Sequence, residues 1–151
     1  MKQWRLVAMM SMMVVSCAAP QALEVRSTHL RNLETPSMQD EPMVRAEQEN
    51  LLHGAIGLRE QEQRLGHYYV VRWNDASQGE PVKVLFEFQQ GSTGSQIHRQ
   101  EASFDASETS GKAEFVVNGD SYLKGGRVLA WQCRLFRGDR EIARRRSYLW
   151  E

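Results

Sequence analysis

The sequence predicts an all-β chain, an antiparallel sandwich of two sheets with about seven strands, preceded by an export signal and a flexible tether. Three observations carry this expectation. Short runs in the back two-thirds of the chain alternate apolar and polar residues with a period of two. Turn residues punctuate them every 10–15 residues or so, roughly the spacing of an all-β fold. The runs are also rich in the aromatic and β-branched residues that suit a pleated, half-buried surface. With 151 residues, 41% hydrophobic and 25% charged, the chain has the composition of one globular domain with an N-terminal remainder.

The individual strands follow from that pattern. The run His67–Trp73 (HYYVVRW) stops at Asn74-Asp75. Val82–Phe88 sets Val82, Val84, Phe86 and Phe88 on one face and ends in the Gly91-Ser-Thr-Gly94-Ser turn. A short strand is expected near Gln96–Gln100, and Ala113–Val117 runs from Gly111 to Asn118-Gly119-Asp120. Arg127–Arg137 places Leu129, Trp131, Cys133 and Leu135 on one face, and Glu141–Trp150 closes the chain. Arg137-Gly138-Asp139-Arg140 reads as a tight hairpin, with glycine supplying a positive φ. Across the charged stretch Arg45–Leu65, Gly54 and Gly57 interrupt any helical period. A helix is conceivable here, but the preferred reading is a first strand near 43–49 with a connecting loop after it.

The sandwich would occupy residues 44–151. Its size and strand spacing resemble the immunoglobulin and fibronectin type III sandwiches. The likeness is architectural. No cysteine pair brackets a tryptophan, and Trp131 stands two residues before Cys133, where an immunoglobulin domain has its corner tyrosine.

The N-terminus reads as an address. Lys2 and Arg5 precede Leu6–Val15, which is apolar except for Ser11. That run is about half the roughly 20 residues a membrane-spanning helix needs, and it has the form of a signal peptide over residues 1–16. Val14-Val15-Ser16-Cys17 resembles the lipobox of bacterial lipoproteins. The resemblance implies cleavage before Cys17, attachment of lipid to its thiol, and a membrane partner reached through acyl chains. Ala18 is not aspartate, which by likeness to enterobacterial sorting implies the outer membrane. A plain secretory signal stays open, because Ser16-Cys17-Ala18 also forms a small-x-small cleavage site; the protein would then be periplasmic or secreted. Residues 17–43 carry Pro20, Pro36 and Pro42 among polar residues, the composition of a flexible linker. Within it, Leu23–Leu33 has too few periodic apolar positions to support a helix.

Chemistry-bearing motifs are missing. The chain has no His-Glu-x-x-His, Cys-x-x-Cys, Gly-x-Ser-x-Gly or Gly-x4-Gly-Lys-Ser/Thr. Gly91-Ser-Thr-Gly94-Ser lacks the lysine of a phosphate loop and reads as a surface turn. His29, His53, His67 and His98 share no spacing that suggests ligation or base catalysis, so no metal or cofactor is expected. With Cys17 lipidated, Cys133 has no disulfide partner and is expected as a small core hydrophobe. Arg137-Gly138-Asp139 spells the tripeptide that integrins recognise, and is read here as a hairpin apex.

Two surface features remain. Residues 127–151 hold seven arginines against Asp139, Glu141 and Glu151, although the whole chain is neutral. Arg137, Arg140, Arg144 and Arg146 could form an anion-binding patch for lipid phosphate, acidic glycan or an envelope protein, or could simply guard an edge strand. Nucleic acid is not expected as a partner of an exported neutral protein. Tyr68, Tyr122 and Trp150 would stack sugar rings if they formed an exposed platform. The expectation is a non-catalytic envelope lipoprotein with a small sandwich as an interaction or structural module. The alternative is a carbohydrate-binding or adhesive module, and an unrecognised enzyme ranks third.

Overall fold

The computed structural model describes residues 21–34 and 41–151. The signal-like run and Cys17 lie outside the described residues. Seven strands form two antiparallel sheets, as the alternation requires: β1 (Leu23–Leu30), β2 (Gly66–Asn74), β3 (Val82–Gln90), β4 (His98–Phe104), β5 (Ser110–Asn118), β6 (Val128–Arg137) and β7 (Arg140–Arg146). One sheet has the order β1-β2-β5 and the other β4-β3-β6-β7. Three helices join them: α1 (Pro42–Leu52) and α2 (Leu58–Glu62) between β1 and β2, and α3 (Gly119–Gly125) between β5 and β6. Among the described residues, no helix is long and apolar enough to cross a membrane.

The expected start of the sandwich needs correction. The segment 17–43 is not wholly a tether. Leu23–Leu30 is β1, paired along its length with β2 from Leu23↔Trp73 to Leu30↔Gly66, so the sandwich begins at Leu23 rather than at 44. Only Leu23 and Leu30 of β1 are fully buried. An edge strand with charged and hydroxyl side chains carries little hydrophobic signal, and its place is set by pairing. The first strand expected near 43–49 is instead helix α1. Pro42 stands in its first turn, where a missing N–H costs nothing, and none of its residues is buried. The seven strands are thus reached with a different first strand.

Inside, the two sheets face each other in layers. Val25, Val71 and Ala113 share a cross-strand row, as do Tyr69 and Phe115. Opposite them lie Val84 with Leu135 and Phe86 with Cys133. Phe86 is fully buried and stacks on Phe115 at 5.2 Å between ring centroids, with Tyr69 at 4.5 Å. Aromatic contacts across the gap add to the area they bury. Trp73 is buried, whereas Trp131 is only half-buried.

A bulge corrects the expected face of β6. Gln89 pairs with Ala130 but Gln90 pairs with Val128, so one residue of β6 is left over. Val128 therefore turns inward and Leu129 lies 41% exposed, the reverse of strict alternation.

The edges are closed by side chains. Gln100, Phe86, Cys133 and Arg145 form one transverse row across the four-stranded sheet. At one end Gln100 Nε2 donates to Val116 O of β5 at 3.0 Å. At the other, Arg145 Nε donates to Leu23 O of β1 at 3.1 Å. A polar group at each end of an otherwise apolar row staples the two sheets together and covers their edges.

Arg137 closes one end of the sandwich. Its side chain is 2% exposed, and its Nε donates to Asp75 Oδ2 at 2.7 Å. Its terminal nitrogens donate to the carbonyls of Glu80 (2.9 Å), Ala106 (3.4 Å) and Glu108 (2.9 Å). One guanidinium fork thus holds the β2–β3 loop, the β4–β5 loop and the end of β6. Removing one member of a buried pair leaves the other uncompensated, a loss of about 3–5 kcal/mol. Arg137→Met should therefore lower unfolding free energy by about 3 kcal/mol in urea titrations; a loss under about 1 kcal/mol would show that the loops hold without it.

Candidate functional site

The residues expected to bind do not form one surface. Arg137 belongs to the buried clamp above, so the anion patch expected from the sequence loses that member. It lies on the inner face because Arg137 keeps the parity of Cys133 and Leu135 at the end of β6. The same burial removes the arginine of Arg137-Gly138-Asp139 from presentation. Gly138 at φ +57 and no positive φ at Asp139 give the signs of a type II′ hairpin.

The remaining arginines line β7, the edge of the four-stranded sheet. Arg144 makes a two-pronged contact with Glu141, Nε to Oε1 at 2.8 Å and Nη2 to Oε2 at 3.0 Å. Arg134 approaches Glu141 at 3.7 Å and Glu87 at 3.1 Å. Glu87 itself is buried, and it also receives Arg99 Nε at 2.8 Å and Gln132 Nε2 at 2.7 Å. Burial works to raise the Glu87 pKa, but the bonds from Arg99 and Gln132 and the charge of Arg134 outweigh it and hold it below the usual range. A charge ladder therefore crosses the outer face of this sheet. Arg140, Arg145 and Arg146 are exposed and have no carboxylate partner among the described residues. Beyond β7, Tyr148 is 99% and Leu149 63% exposed.

Tyr68, Tyr122 and Trp150 lie in three separate places, and each is half-buried. Tyr68 alternates outward from β2, and its hydroxyl donates to Arg64 O. Tyr122 is carried by α3 over the end of the sandwich, and Trp150 follows β7 in the opposite sheet. The exposed sugar-stacking platform expected as the alternative is not formed by these three residues.

A cluster that sequence spacing missed sits at the end away from Arg137. The register pairs His29 of β1 with His67 of β2. Their rings stack at 3.8 Å with a 12° interplanar angle. Tyr122 closes over them, its hydroxyl hydrogen-bonded to His29 Nε2 at 2.8 Å. His67 Nε2 is buried with no hydrogen-bond partner. Burial, then the charges of His29 and Arg127, push the His67 pKa down to about 4. Burial, Arg31 and Arg127 lower that of His29. Both imidazoles are thus held neutral at pH 7. The two histidines are 38 positions apart in sequence, and only strand pairing brings them together. Among the described residues, no three His, Cys, Asp or Glu side chains gather to hold a metal ion. Cys133 lies in the core, its thiol pushed up to about 12 by burial, and so does not ionise near neutrality.

A groove of about 750 Å³ runs between β1 and α1, lined by Thr28, Leu30, Met43, Val44, Glu47 and Leu51 among others. Thr28 Oγ1 donates to Glu47 Oε1 across it at 3.3 Å.

Comparison with protein-family profiles, curated proteins and solved structures gave no match to this chain.

The histidine stack makes a pH prediction. Because the folded-state pKa values lie below the unfolded value of about 6.5, the unfolded chain binds more protons at mildly acid pH. The stability of the neutral pair is full above the unfolded value and declines as pH falls towards about 4. Melting temperature should fall on the order of 5 °C between pH 7.5 and 5.0. His67→Phe should lose most of that slope in thermal melts; an unchanged slope would assign it elsewhere.

Proposed function

We propose that the protein is a lipid-anchored cell-envelope protein whose β-sandwich is a non-catalytic interaction or structural module. The observation that carries this reading is the order of Lys2 and Arg5, the apolar run Leu6–Val15 and Cys17, closely followed by a strand that begins at Leu23. An acyl chain contributes about 0.8 kcal/mol per buried CH2, so two or more chains on Cys17 would hold the domain at a bilayer without a spanning helix. Ala18 favours the outer membrane in this reading.

The sandwich suits a module of this kind. Its core is filled by aromatic and branched side chains, its ends are tied by Arg137 and Tyr122, and its open edges are stapled. In this reading the fold belongs to the broad immunoglobulin-like group, whose architecture fibronectin type III sandwiches share. Support comes from the division of three strands against four, β1-β2-β5 facing β4-β3-β6-β7, with the chain crossing between sheets after β2, β4 and β5. Helices α1 and α2 lie between the first two strands.

The test is acylation. Expressed in a Gram-negative host fed a labelled fatty acid, the wild-type protein should take up label and enter the detergent phase on phase partition. Cys17→Ala should take up none. A wild-type protein that stays unlabelled and water-soluble would remove the anchor from this reading.

A further inference from the structure

The anchor proposed above has a geometric consequence, and the following inference rests on it. Five residues lie between Cys17 and Leu23, and even fully extended the six steps from one to the other reach only about 20 Å. The sandwich would then hug the bilayer at the point where β1 enters. That point adjoins β7, because Arg145 Nε donates to Leu23 O at 3.1 Å.

The side of the molecule nearest the anchor is basic and aromatic. Arg140, Arg145 and Arg146 are exposed there without carboxylate partners among the described residues. Of the acids nearby, Glu24 pairs with Arg26 at 2.8 Å and Glu141 with Arg144 and Arg134, while the Glu80 carboxylate lies beside Gly138 at the β6–β7 turn. Asp139 and Glu151 flank the stretch at its ends. Just past β7, Tyr148 stands 99% and Leu149 63% exposed, with Trp150 half-buried beside them. Arginines that can donate to phosphate, next to Tyr, Leu and Trp, are the composition that settles at the headgroup level of a membrane. We propose that the β7 edge and Tyr148–Trp150 lie flat on the anionic bilayer that holds the Cys17 lipid.

The two halves of this proposal reinforce each other physically. A short anchor supplies a high local concentration of membrane at this face, so each weak contact becomes an intramolecular one. Each arginine near an anionic surface then multiplies binding about five-fold, an effect that salt screens. Arg144 contributes less than its neighbours, since Glu141 already holds it. Arg145 has a double task, because its Nε is committed to β1.

The full-length protein, purified in its processed form, is reconstituted into brominated-lipid vesicles of either pure phosphatidylcholine or phosphatidylcholine with phosphatidylglycerol. The emission of Trp150 is read as the difference between wild type and Trp150→Phe, and intact mass reports acylation of Cys17 in the same sample. Quenching of Trp150 should be at least about two-fold stronger with phosphatidylglycerol, and high salt should abolish the excess. Arg140→Gln with Arg146→Gln should bring it down to the phosphatidylcholine level while melting temperature stays unchanged, which separates lost contact from lost fold. Acylated protein with equal quenching in both vesicles would overturn this orientation and leave the anchor standing. Unacylated Cys17 would remove the anchor and this inference together.

Discussion

The sandwich hangs on a buried cation. Arg137 sits at the end of β6 with almost no solvent contact, and the rest of that end is built around it. An unpaired guanidinium there would be prohibitive, so Asp75 and three loop carbonyls must all turn toward it. Burial alone would raise the Asp75 pKa. The amide of Ser77 and the guanidinium of Arg137 outweigh burial and hold it low, so the carboxylate stays charged to match its partner. Satisfying one side chain therefore fixes two loops that share no sequence neighbourhood. Because the hairpin Gly138-Asp139 follows at once, the same constraint sets where β7 begins.

From that end the core is assembled by pleat and register. The row Gln100–Phe86–Cys133–Arg145 shows the logic in one slice. Its two central residues fill the gap between sheets, and its outer two are polar because each reaches an edge where backbone carbonyls would face water. Donating to Val116 O and Leu23 O, they join sheets that share no backbone ladder. The far end is handled differently. There the inner row runs His29–His67–Val117, and the imidazoles are covered by Tyr122 rather than by an ion pair. Neutral rings cost less to bury than charged ones, at the expense of stability in acid. The two ends of one sandwich thus answer the same problem with opposite chemistry.

The outer face of the four-stranded sheet carries the opposite balance to its interior. Arg99, Glu87, Arg134, Glu141 and Arg144 run across it as linked pairs. Exposed pairs of this type add little stability each. The ladder matters more for what it leaves over, an excess of arginine along β7 beside exposed Tyr148 and Leu149. Charge on an edge strand deters pairing with another chain, and it can also attract a surface of opposite sign.

Alternation was legible in the sequence, and with it the two-sheet sandwich, β2, β3, β5 and the β6–β7 hairpin, because inward and outward residues there differ sharply in polarity. β1 was not, since its burial rests on only Leu23 and Leu30, and α1 was not, since it buries no residue at all. The bulge that exposes Leu129 leaves no trace in composition. The arginines of residues 127–151 were visible as a cluster, yet their division into a buried clamp at Arg137 and an exposed edge was not. Parity along β6 could have pointed to Arg137, which keeps step with Cys133 and Leu135. The histidine stack had no local signal, because spacing in sequence says nothing about partners across a ladder. The sequence by itself determined which side chains alternate in and out along β2, β3 and β5, because their two faces differ in polarity. Tertiary structure alone decided which charges meet and which rings stack, since both depend on strand register, set by the whole sheet rather than by any segment.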